Sequence, residues 1–220
     1  MKKVYAAGEV LIDFTENGSS AQGNPMYEAN PGGAPCNVLA MLQKFGHKTA
    51  FLGKVGEDIF GRRLEIVLKE AGIDTAGLCM DPTVRTTLAF VEKKADGDRD
   101  FSFYRNPGAD MMLRTEELQE QILKDTRIFH FGTLSMTDEP VRSATRHAIE
   151  TAKANGALLS FDPNIREPLW QSMEEAKRQT AYGMEVCDVL KISDNEIRWF
   201  TGEEDFDRGV DKLWREYHIP

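Results

Sequence analysis

Along most of the chain, short apolar runs alternate with stretches whose apolar residues recur every three to four positions. Residues 3–14, "KVYAAGEVLIDF", read as one strand. "APCNVLAMLQKFG" reads as a helix with Val38, Met41, Leu42 and Phe45 on its apolar face and Gly46 as its stop. "TAFLGKVG" follows as strand, and "IFGRRLEIVLKEAG" as a helix ending at Gly72. "IFHFGTL" is the next strand, and the helix of residues 139–156 has Pro140 in its first turn and Gly156 at its end. Strand "ALLSFDPN", helix "MEEAKRQTAYGMEV" and strand "DVLKIS" lead to two last helical stretches, "DNEIRWFTG" and "DRGVDKLWREYH". Repeated β-α-β units with nearly continuous apolar strands predict an α/β fold. Its sheet should be mostly parallel and Rossmann-like, with helices on both faces.

Two segments break that rhythm. "TENGSSAQGNPMYEAN" interrupts the chain after the first strand, and "TTLAFVEKKADGDRDFSFYR" has two alternating runs around "ADGD", a hairpin signal. They predict a small antiparallel lid, from about 14–30 and 84–106, on a single domain spanning 1–220. The closing "DKLWREYHIP" leads toward a further buried strand, so the chain reads as the first two-thirds of a longer protein.

Composition narrows the function classes. With 220 residues, 41% of them hydrophobic, the chain can bury a sizeable core. A formal charge of −9 argues against a nucleic-acid partner, which needs clustered Lys and Arg. Cys36, Cys79 and Cys187 are odd in number, far apart and without metal-ligand spacing, so neither a disulfide framework nor a zinc site is expected. Glu9 and Asp13 interrupt the apolar start, which is therefore not a signal peptide, and no run approaches the ~18 apolar residues of a membrane span. The expected setting is cytoplasmic, without a membrane.

Candidate chemistry collects at strand ends. Asp13 follows "VLI", Thr133 follows "FHFG", Asp162 to Asn164 follow "LLSF", and Lys191, Ser193 and Glu196 lie at or after "DVL". Ligands of open parallel sheets bind beyond the carboxyl ends of the strands, so these clusters point to one cleft. "ANPGGAPCN", with Gly32 and Gly33, sits between a strand and a helix, where bare backbone N–H groups and a helix N-terminus can face a ligand. It matches neither a Walker loop nor a dinucleotide fingerprint. Asn37 offers a donor and an acceptor, and with Asp13 would suit a hydroxyl-rich ligand; the alternative is an amide capping its own turn. Phe101, Phe103 and Arg105 share one face of the second hairpin strand. That face is either a small apolar patch with a snorkelling arginine or a flap over a sugar.

The chain resembles the ribokinase-like (PfkB) carbohydrate kinases, and within them its motifs are most similar to those of bacterial fructokinases. The resemblance rests on "GEVLIDF", "NPGGAPCNVLAMLQKFG", "GKVGEDIFG", "FSFYRNPGADMML", "FDPNIR" and "LKISDNE". Gly33, Asn37, Gly46 and Gly56 meet the family's first signature, which is departed from at Leu39, where a small residue is usual. The resemblance implies an ATP- and Mg²⁺-dependent kinase making fructose 6-phosphate from D-fructose. Asp13, Gly32, Gly33 and Asn37 would hold sugar hydroxyls, Phe103 and Arg105 would come from the lid, and Asn164 and Arg166 would lie near the transferred phosphate. The family's N-x-x-E motif falls on Ser193 to Glu196, with Ser replacing Asn. By that match Lys191, Ser193 and Glu196 would serve the nucleotide, and Glu196 would act on Mg²⁺ through water. The family's catalytic base lies in a G-A-G-D segment absent from these residues and is expected beyond Pro220, so the 220-residue chain alone is expected to be inactive. A homodimer through the lid is also implied. Alternatives are a 2-keto-3-deoxygluconate kinase, with Arg105 and Arg166 on the acid, or a sugar-binding protein without catalysis.

Overall fold

The computed structural model describes residues 3–93 and 99–219. The turn expected at "ADGD" lies outside the described residues. In chain order the elements begin with β1 (Lys3–Ala7), β2 (Leu11–Ser19), β3 (Pro25–Gly32), α1 (Ala34–Lys44), β4 (Thr49–Gly56) and α2 (Ile59–Glu70). Next come β5 (Asp74–Asp81), β6 (Leu88–Lys93), β7 (Arg99–Tyr104), α3 (Glu120–Lys124), β8 (Thr126–Gly132) and α4 (Val141–Ala154). The chain closes with β9 (Leu158–Asp162), α5 (Met173–Val186), β10 (Val189–Leu190), α6 (Asp194–Thr201) and α7 (Phe206–Tyr217).

Six strands form one sheet in the order β10-β9-β8-β1-β4-β5, and every neighbouring pair is parallel. Alternation along β1 divides the interior in two. Tyr5 and Ala7 join Phe129, Phe131 and Phe161 with Ala148 and Ile149 of α4 and Met184 of α5. Val4 and Ala6 join Phe51 and Val55 with Leu39 of α1 and Leu64 and Leu68 of α2. Successive strand residues point to opposite faces, so each face gains its own core, as the α/β pattern predicts.

A second sheet, in the order β3-β2-β6-β7, is built from two antiparallel pairs joined by parallel pairing of β2 with β6. Four short passages connect it to the rest of the fold: Gly8 to Val10 from β1, Gly33 into α1, residues 82–87 from β5, and residues 105–108. Asp58, the N-cap of α2, also accepts from the Thr86 backbone N–H at 2.8 Å and the Thr86 hydroxyl at 2.9 Å, which ties the third passage to the main body.

Two expectations need correction. The opening run is not one strand: it breaks at Gly8, whose φ of +151° suits glycine and where a Cβ would sit 2.7 Å from the Pro35 ring. Asp13 therefore does not end a strand of the large sheet. It lies inside β2, opposite Asn30 of β3. The buried face of α1 is also different. Pro35, Cys36 and Leu39 face inward, while Met41 is 52% and Phe45 71% exposed. Pro35 packs at the Gly8 break and Leu39 is fully buried in the core, which contributes roughly 2 kcal/mol and rotates the helix away from the expected stripe.

Candidate active site

A cavity of about 420 Å³ opens where the second sheet overhangs the carboxyl ends of β8 and β9. The second sheet supplies Asp13, Thr15, Asn30, Val91, Phe101 and Phe103; Gly33, Ala34 and Asn37 come from the start of α1, and Leu134, Asn164 and Arg166 follow the strand ends. Glu9 and Leu11 line its base. The volume is in the range of small-ligand sites, and the lining mixes aromatic surface with a few convergent polar groups.

Local structure explains each placement. Register puts Asp13 beside Asn30, and Gly32 is the residue whose Cβ would collide with the Asp13 carboxylate. Gly33 has a φ of +119°, and a Cβ there would run into the Glu9 carbonyl, so the turn before α1 needs glycine. Alternation along β7 turns Phe101 and Phe103 to the cavity, with ring centroids 5.9 Å apart. The opposite face of the same sheet carries Phe14, Tyr27 and Tyr104 packed around Phe90. Across the cavity, the Arg166 guanidinium lies 5.5 Å from the Phe101 ring centre, a cation–π contact between the second sheet and the β9 end.

Arg105 does not join its neighbours. Its guanidinium is 2% exposed and pairs with Asp110. Nε donates to Asp110 Oδ2 at 2.7 Å, and the remaining nitrogens donate to Thr137 Oγ1 at 3.1 Å and the Leu134 carbonyl at 2.8 Å. β7 ends at Tyr104, so the alternation that would carry Arg105 to the cavity stops one residue too soon, and an internal carboxylate takes the arginine instead.

Lys191, Ser193 and Glu196 lie beyond β10, outside the cavity wall. Ser193 and Glu196 form a capping box at the start of α6: Glu196 Oε2 accepts from the Ser193 backbone N–H at 2.9 Å and hydroxyl at 2.7 Å. Serine at this position is thus an effective N-cap. Glu196 Oε1 accepts from the Ile165 N–H at 2.9 Å, which fixes the loop carrying Asn164 and Arg166. Lys191 is exposed and pairs with Asp162 Oδ2 at 3.1 Å. Asp162 Oδ1 is buried without a hydrogen-bond partner, and burial raises the Asp162 pKa. Thr133 is internal, its hydroxyl donating to the Pro163 carbonyl at 2.6 Å. Among the described residues, no group of three or more His, Cys, Asp or Glu side chains could hold a metal by itself, and no helix is long and apolar enough to cross a membrane. All three cysteines are free.

Glu9 is the residue that pattern reading missed. It is 4% exposed, and Oε1 accepts from the Ala34 N–H at 2.9 Å. Burial pushes its pKa up to about 7. In the sequence it is only a charge interrupting an apolar run. Its signal was the pairing of an acid with the glycine break, "GE", and that break is visible only once the strand divides.

A doubly flanked parallel sheet with a polar cavity at its carboxyl edge defines an α/β small-ligand protein of the ribokinase-like fold. The model of the pfkB family carbohydrate kinases matches residues 1–215, and the chain belongs to that family. It is 45% identical over 206 residues to the probable fructokinase-2 of Arabidopsis thaliana, covering 93% of this chain and 63% of that protein. It is 46% identical over 215 residues to fructokinase-1 of Zea mays, covering 96% and 67%. Among solved structures, fructokinase from Xylella fastidiosa superposes with a TM-score of 0.88 at 36% identity, covering 98% of this chain and 67% of that one. Fructokinase from Vibrio cholerae O395, in its fructose, ADP and calcium ion bound form, gives 0.89 at 30% identity, covering 100% and 69%. The chain thus spans about two-thirds of the length of the relatives it matches.

Proposed function

We propose that the chain forms the sugar-holding part of an ATP-dependent kinase that converts D-fructose to fructose 6-phosphate. The observation that carries this reading is the charge balance of the cavity. Arg166 is the lining cation among the described residues, and it faces a wall that also holds Asp13 and Glu9. With Arg105 held internally by Asp110, a sugar acid would meet one arginine and two acids, whereas a neutral polyol meets the hydroxyl-matching set of Asp13, Asn30 and Asn37. The balance therefore favours fructose over 2-keto-3-deoxygluconate. Relatives named fructokinases support the same substrate. Phe101 and Phe103 offer apolar surface to a sugar ring, with the second sheet acting as a lid.

On the nucleotide side, Lys191, Ser193 and Glu196 are the residues of this chain that would face ATP and Mg²⁺. Lys191, exposed beside Asp162, offers an ammonium suited to phosphate oxygens. A bound magnesium–nucleotide pair would supply the phosphoryl group and neutralise its charge. The chain's own contribution is positioning: Asp13, Gly33 and Asn37 orient the sugar, and Arg166 holds positive charge near the transfer point. The aromatic outer face of the second sheet, with Tyr104 65% exposed, supports a homodimer formed through that face; light scattering that shows only monomer would refute this part. Three free cysteines fit a reducing, cytoplasmic compartment, which fractionation of the native protein would test.

Calorimetric titration of the 220-residue chain should give saturable heat with D-fructose. Binding of 2-keto-3-deoxygluconate should be at least about tenfold weaker, or ~1.4 kcal/mol. The reverse order, or no heat from fructose, sinks the reading.

A further inference from the structure

Glu9 lies where the chain leaves the large sheet for the second one, and beyond its charge on the cavity wall it is not among the residues proposed to hold the sugar hydroxyls or face the nucleotide. Among the described residues it has no ion-pair partner. Its charged neighbours Arg105 and Asp110 are paired with each other, the Cys36 thiol is close to it, and Asp13 and Arg166 line the same cavity. A buried carboxylate without its own cation destabilises a fold, and a neutral amide could accept the same hydrogen bond at lower cost. The position is nevertheless built around this residue. The Glu9 side chain takes the Ala34 N–H, while its carbonyl oxygen abuts Gly33, so one residue holds the glycine turn from two directions. Gly33 and Asn37, one turn into the same helix, both line the cavity, and Glu9 lines it from below.

We propose that Glu9 is a positioning residue for the sugar: its carboxylate pins the first N–H of α1 and so sets Gly33 and Asn37 at the spacing the ligand reads. The inference rests on the sugar-binding reading of the cavity. In a positioning role, affinity follows the tie to the Ala34 N–H, which needs only an acceptor at that place; in direct recognition by the charge, affinity is lost even where that tie is kept. Gln supplies one and Met, of similar length, does not.

The test compares the 220-residue chain with its Glu9→Gln and Glu9→Met variants at pH 8, by D-fructose calorimetry and by hydrogen exchange at the Ala34 amide. Glu9→Gln should keep fructose affinity within about threefold and keep Ala34 protected, and Glu9→Met should weaken binding by about tenfold or more and speed Ala34 exchange. Equal losses in both variants would show direct recognition by the charge and overturn the proposal. Unchanged affinity in Glu9→Met would overturn it as well. If Glu9→Met does not fold, the Gln variant decides by itself: loss of its fructose affinity with Ala34 still protected overturns the proposal, and retention supports it. If the parent chain binds no fructose, the sugar reading fails separately, and unchanged Ala34 exchange in Glu9→Met would overturn the tie itself.

Discussion

Replacing Arg105 by Met distinguishes a structural arginine from a substrate-binding one. The guanidinium and its partner Asp110 are 2% and 3% exposed, so the substitution leaves a carboxylate in the interior. Its remaining side-chain donor is the Thr87 hydroxyl. It also removes the donors reaching Thr137 and the Leu134 carbonyl. Breaking a buried pair from one side costs about 3–5 kcal/mol, because the orphaned charge keeps its desolvation penalty. For a chain of this size, ~1 kcal/mol moves the melting temperature by roughly 2–4 °C, so a fall of about 6–20 °C is expected. Circular-dichroism melts at pH 7 measure it. Arg105→Met/Asp110→Leu should recover at least about half of the loss, since an apolar pair of similar volume removes the stranded charge. Below the melt, fructose affinity should stay within about threefold of the parent, a difference of under ~0.7 kcal/mol. A melting temperature within about 2 °C of the parent, combined with lost fructose binding, would refute the structural assignment and return Arg105 to the cavity.

Glu9 and Phe101 give two further expectations. The folded-state pKa of Glu9 is raised to about 7 from an ordinary 4.5, so the native state binds more protons between those values and stability falls as pH rises from 4.5 to 7. Glu9→Gln escapes that loss. Its melting temperature should match the parent near pH 4 and exceed it above pH 7, by the equivalent of about 3 kcal/mol, and a gap that does not change with pH contradicts the burial argument. Phe101→Leu removes both the stack on Phe103 and the contact with Arg166, each worth ~0.5–1 kcal/mol. If those contacts are made only with the sugar bound, fructose affinity should drop by about fivefold to thirtyfold in calorimetry, while an unaltered affinity would show that the flap does not reach the sugar.

Much of the large sheet was legible because its signals are local. Apolar runs gave the strands, and the 3.6-residue period with Gly stops gave the helices that follow them. The glycine turn and "FDPN" were legible too, since strand ends in parallel sheets fix where polar residues collect. What escaped depended on contacts distant in sequence. Gly8 breaks the first strand because Pro35, 27 positions away, needs the space of a missing Cβ. The α1 stripe is ambiguous in sequence because Met41 and Phe45 fit a helical period as well as Leu39 does, and only packing against β1 and β4 chooses between them. Arg105 continued an alternating pattern past the end of its strand, and no periodicity reveals that Asp110 waits on the following turn. Glu9 looked like an interruption for the same reason: its partner is a backbone amide 25 residues on.

The parallel pairing of β2 with β6 has a mechanical consequence. A flap hung from a single hairpin could swing freely, but here both hairpins are stitched into one plate that is anchored at four places. Any opening of the plate would then be a small rocking of the whole about the line of those anchors, with Asn30 and Phe103 moving together. Probe distances from α4 to Tyr27 and to Tyr104 should accordingly lengthen in step; independent movement would mean the stitch gives way first.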